Sequence, residues 1–100
     1  MSNTLRGEAS LVIDGVASKL RPTFDALVRA EEELGPLFAL VERAGEGKLK
    51  LSEIAALFWH CLEDAGINRD RVGAAVLEMG LAEAAKPLRV LLGEILRGKS

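Results

Sequence analysis

Glu8-Ala9-Ser10-Leu11-Val12-Ile13-Asp14-Gly15-Val16-Ala17-Ser18-Lys19-Leu20 is the stretch that decides the fold class. Asp-Gly is the preferred pair for a two-residue type I′ turn, because both central residues need positive φ. A turn at Asp14-Gly15 sets the register. Ile13 then faces Val16, Leu11 faces Ser18 and Ala9 faces Leu20 on one side. Val12 and Ala17, Ser10 and Lys19, and Glu8 and Arg21 pair on the other. The first set is mostly apolar, and the second grows polar towards the open end. One apolar face and one wetter face is the pattern of a half-buried antiparallel pair. A lone hairpin is not stable in water, so the apolar face must lie on helices.

Outward from the hairpin the pattern is helical. Thr23, after Pro22, suits an N-cap, and Phe24, Leu27, Val28 and Leu34 recur at helical spacing. Gly35 suits a helix stop, and Pro36 the first position of a short second helix to about Ala44. Gly45 to Lys50 reads as a polar loop. Ser52 is the expected cap of a third helix running to about Ala65 and ended by Gly66. Asn68 is the expected cap of a fourth, to Met79, ended by Gly80. A fifth runs from Leu81 to Arg97, with Leu81, Ala84, Ala85, Leu88, Leu92 and Ile95 on one stripe. Pro87 falls inside it and predicts one kinked helix or two abutting ones. The expected fold is therefore α+β and mainly helical. An N-terminal two-stranded antiparallel hairpin packs on about five short helices, in one domain over residues 1–100. Residues 1–4 and 98–100 are expected to fray.

The bulk chemistry narrows the function. The chain has 100 residues, 49% of them hydrophobic and 28% charged, the make-up of a globular domain. Its net charge is −2 at pH 7, whereas nucleic-acid binders are normally basic. With one cysteine and one histidine it cannot assemble a structural zinc site of the Cys/His kind, which needs about four such ligands. No apolar run reaches the roughly 20 residues of a membrane span, and polar Met1 to Glu8 has no apolar segment of a secretory signal. The expectation is a small cytoplasmic domain without cofactor, membrane or small-molecule substrate.

Catalytic constellations are weak. His60 and Cys61 are neighbours in sequence, but on a helix they point about 100° apart and cannot pair as nucleophile and base. His60 is expected on the solvated side beside Glu53 and Asp64, and Cys61 in the core. Glu32, Glu33, Glu63 and Asp64 read as solvated. Glu31 differs, because on the helical wheel it lies between Phe24 and Leu27. It is expected to be partly buried as a structural polar residue, bonded to backbone N–H groups or to an arginine. Gly45-Glu46-Gly47-Lys48 lacks the preceding strand and spacing of a phosphate loop. A helix-turn-helix can be drawn around Gly66, with Arg69 and Arg71 opening its second helix, but Asp70 and Glu78 interrupt any basic face. No residue set supports an enzyme.

The third helix carries more apolar surface than one stripe needs. Ile54, Leu57, Phe58, Cys61 and Leu62 centre its buried face, and Ala55 and Trp59 widen it. Such a helix is either central in the core or partly covered by another chain. Trp59, Leu77 and Val90 fall at or off the margins of their stripes and are the candidate partner-binding residues. Trp59 has two readings, as an interface anchor or as core.

The ordered set that begins at Asn3 and runs through Arg6-Gly7-Glu8, Leu11-Val12-Ile13-Asp14-Gly15, Leu20-Arg21-Pro22-Thr23-Phe24, Ala26-Leu27, Glu31, Leu34-Gly35 and Gly47 to Leu51 before Ser52-Glu53-Ile54 resembles the small tail assembly chaperones of gene transfer agents and related prophages. Older descriptions call them tail tube or minor tail proteins. The resemblance covers about the first two-thirds of the chain. It weakens after Leu57, where Phe58-Trp59-His60 is bulkier than the family's helix. It implies a non-enzymatic chaperone of the bacterial cytoplasm that coats the tape measure protein, in many copies, during tail assembly, and it leaves self-association open. A structural tail tube or minor tail component is the alternative it leaves, although tube subunits are β-rich. A small helix-turn-helix DNA-binding protein is the other class.

Overall fold

Asp14 (φ 53°) and Gly15 (φ 79°) both take positive φ and close β1 (Ala9–Ile13) onto β2 (Val16–Leu20). The structure is a computed structural model describing residues 9–64 and 66–98. The pairing Ala9 with Leu20, Leu11 with Ser18 and Ile13 with Val16 is the register expected from the turn. Ala9, Leu11, Ile13, Ser18 and Leu20 are buried, while Val16, beside the turn, stays exposed. The expected Glu8–Arg21 pair and the frayed positions 1–4, 99 and 100 lie outside the described residues; Arg21 pairs with Glu63 at 3.2 Å. Gly98, also expected to fray, is the C-cap of the last helix.

Five helices follow: α1 (Phe24–Leu34), α2 (Leu37–Gly45), α3 (Leu51–Cys61), α4 (Arg69–Met79) and α5 (Leu81–Arg97). The fold is thus mainly helical α+β, with β1 lying on α4 and α5. Thr23 Oγ1 accepts the Ala26 N–H at 3.1 Å and opens α1. Gly35, at φ 95°, ends it. The apolar stripe of α1 differs from the one expected. Phe24 is 86% exposed, while Ala26 and Ala30 are buried and Leu27 and Leu34 pack at the edge of the core. Cα atoms of α1 and α3 come within 8 Å of each other, and small side chains are what such an approach admits.

The bounds of α3 also differ from the reading. It begins one residue before Ser52, which is not its cap. Instead, the Glu53 carboxylate accepts the Lys50 N–H at 2.9 Å. It ends at Cys61, not near Ala65. Beyond it the backbone turns to the outer edge of β2: Arg21 N–H donates to Cys61 C=O at 2.6 Å, Glu63 N–H to Lys19 C=O at 3.0 Å, and Leu62 bridges Leu20. Pairing with the strand satisfies groups that another helical turn would have used. The wide apolar arc of α3 is covered within the molecule. Ala55, Ala56, Leu57, Phe58 and Cys61 are all buried, with α1 and α4 packed against the helix.

Asn68 Oδ1 accepts the Arg71 N–H at 3.0 Å and caps α4. Gly80, at φ 89°, separates α4 from α5. The fifth helix runs unbroken through Pro87. Its buried face is Ala84, Leu88, Leu91 and Leu92, so Leu91 joins the expected stripe and Leu81, at 57% exposure, leaves it. Among the described residues no helix is long and apolar enough to cross a membrane.

Candidate functional site

Trp59, at the C-terminal end of α3, is half-buried and fully engaged. Its indole N–H donates to the Ile67 carbonyl at 2.9 Å. The Arg69 guanidinium carbon lies 4.5 Å from the ring centroid, in reach of the attraction between a cation and an aromatic face. His60 meets the ring edge-on at 5.0 Å between centroids. The same His60 is not solvated: its side chain is 9% exposed, and Nε2 lies 2.8 Å from Glu33 Oε1. The other Glu33 oxygen accepts from Arg69. Hydrogen bonds from Arg69 first, and then His60, hold the Glu33 carboxyl below the usual carboxylate range. Glu33, Trp59, His60 and Arg69 therefore join α1, α3 and α4 in one polar and aromatic cluster. Sequence spacing did not link them, because Glu33 and His60 lie 27 positions apart.

Arg71 pairs with Asp14 in the hairpin turn. Both arginines of the helix-turn-helix reading are thus bound to carboxylates of this chain. Cys61 is buried, and burial, followed by the nearby Glu94 charge, pushes its thiol up to about 12. A thiol that stays protonated is a poor nucleophile. Among the described residues no three of the His, Cys, Asp and Glu side chains gather to hold a metal ion.

The remaining candidates lie apart. Val90 is half-buried against the core. Leu77 is 63% exposed and lies on a shallow groove between α1, α3 and α4, with Leu34, Leu51 and Ala74. Glu31 is exposed, and its Oε2 accepts the Leu37 N–H at 2.9 Å, supporting the start of α2. The partial burial expected of it is not found, because α1 turns its alanines, not its Phe24 side, to the core.

A second groove was not evident from the helical stripes. It is formed by Glu31 of α1, Leu37, Phe38 and Val41 of α2, and Ile95 and Leu96 of α5, and encloses about 230 Å³. Phe38 is 81% exposed and Leu96 54%. The sequence signal for it was weak: Phe38 follows Leu37 on a helix of only nine residues, so both cannot face the core.

The family model described as phage tail tube protein, GTA-gp10, matches residues 6–98. The match extends through the last third of the chain, beyond Leu57, where the quoted motifs stop. No curated protein and no solved structure matches the chain.

Proposed function

The chain belongs to the phage tail tube protein, GTA-gp10 family, and from that premise we propose that it serves tail assembly as a non-enzymatic chaperone of the tape measure protein. The observation that carries this reading is the set of large apolar side chains left uncovered beside grooves: Phe38 and Leu96 on one, Leu77 on the other. Uncovered apolar groups rimming a concave surface mark a place for a partner. A long helical protein with bare apolar stripes is the kind of partner that needs such cover, and short grooves suit many copies along one chain. The experiment is co-expression with the long helical protein encoded beside this chain. The expected result is that the partner stays soluble and co-purifies. Equal insolubility with and without this chain overturns the reading.

A structural tail component is the second reading, favoured by one observation. Ser10 and Val12 of β1 present backbone groups away from β2, and among the described residues no helix or loop backbone bonds to them. An open strand edge can join a neighbour's sheet. Mass spectrometry of purified particles separates the two. A chaperone is absent from finished tails, and a tube subunit is present in many copies.

A further inference from the structure

The groove between α1, α2 and the last turns of α5 has an apolar floor and an acidic rim that, among the described residues, has no ion-pair partner. Leu37, Val41 and Ile95 lie along it, and Phe38 and Leu96 stand at its mouth. Glu31 lines it, with one oxygen given to the Leu37 N–H. Glu42 is exposed one turn beyond Phe38 on α2, at the spacing that shares a helix face. Among the described residues neither carboxylate has a cation within ion-pair reach, and cations of α1, of α2 and of the segment after it pair elsewhere. Arg29 pairs with Asp25, Arg43 with Glu53, and Lys48 with Glu46. Arg97 folds back over its own helix, where a Cβ on Gly93 would stand 2.7 Å from Nη2. The Leu77 groove differs, because its rim carries the internal Glu33–Arg69 pair.

We propose that this groove is the docking site for an amphipathic helix whose apolar stripe is flanked by lysine or arginine. The proposal rests on the chaperone reading above and names the chemistry of the segment bound. Leucine-sized side chains at helical spacing would enter beside Phe38 and Leu96, and cations one turn away would meet Glu31 and Glu42. A helix of about 18 residues is about 27 Å long, comparable with the 26–32 Å extents of the molecule.

The test uses two synthetic helical peptides of about 18 residues with the same leucine stripe, one flanked by lysine and one by glutamate. Binding is measured by fluorescence anisotropy on the wild type and on Phe38→Ser, Glu42→Lys and, as an exposed apolar control outside both grooves, Leu81→Ser, each checked by circular dichroism for an unchanged fold. The lysine peptide should bind at least about tenfold tighter than the glutamate peptide. Phe38→Ser should remove most of that binding. Glu42→Lys should weaken it roughly three- to tenfold at low salt and less at high salt. Leu81→Ser should leave it unchanged. The proposal is overturned if the two peptides bind alike, if neither binds, or if Leu81→Ser costs as much as Phe38→Ser. A wild-type dimer that dissociates in Phe38→Ser would also overturn it, by making a second copy the occupant. Co-expression with the long helical partner separates the two levels. If the wild type and Phe38→Ser both keep the partner soluble, the groove assignment fails and the chaperone reading stands. If the wild type does not, the chaperone reading itself fails.

Discussion

Among the described residues, Glu33 is one of two glutamates whose carboxyls the fold holds low. Its carboxyl is held low by Arg69 and His60, and that of Glu53 by Arg43 and the Lys50 backbone N–H. An unfolded glutamate titrates near 4.3. Because both folded values are depressed, their stabilisation is present above that value and is lost as pH falls through the folded values. Urea unfolding measured from about pH 5 down to about pH 3 should show stability falling, with a smaller slope in Glu33→Gln. An unchanged slope would mean that Glu33 makes no net contribution. Placing Cys61 in the core was within reach of periodicity, since it lies on the same helical stripe as Leu57 and Phe58. The environment of His60 was not. Its partner comes from another helix, and helical spacing carries no information about pairs so far apart.

Helix starts were legible where a side chain performs the capping. Thr23 and Asn68 accept backbone N–H groups as their residue types predict. Ser52 has the right chemistry but lies inside α3, because Glu53 already satisfies the Lys50 N–H. The consequence is a paired prediction. Asn68→Ala should lower unfolding stability by about 1 kcal/mol, and Ser52→Ala should change it by less than about 0.5 kcal/mol in thermal or urea melts. Equal losses would show that Ser52 does take part in starting the helix. The early end of α3 was illegible for a different reason. Helical signals continue past Cys61, but the edge of β2 competes for the same backbone groups, and only the assembled sheet offers that alternative. The stripe of α1 was misread because alanines count little in an apolar pattern, yet they are what a close helix pair selects.

At the scale of the whole molecule, the Cα radius of gyration is 12.4 Å, near the roughly 13 Å of a compact chain of this length. The surplus apolar arc of α3, which the sequence assigns either to the core or to a partner, is taken up largely by the core. The uncovered pair Phe38 and Leu96 lies instead where α1, α2 and α5 meet, a junction of distant segments that no single helical wheel describes. Phe38→Ser should therefore leave the melting temperature within about 2–4 °C of wild type, the shift expected for less than about 0.5 kcal/mol. A larger drop would identify Phe38 as part of the fold. The seating of β1 on α4 and α5 also orders events in time. The hairpin is the first described part of the chain to be synthesised, yet the helices that cover Leu11 and Ile13 are the last. At roughly 5–20 residues per second, translation separates Leu20 from Arg97 by several seconds. Through that interval the nascent chain must carry a bare, strand-forming apolar face, so its own synthesis exposes it to the aggregation hazard from which it is proposed to protect another protein.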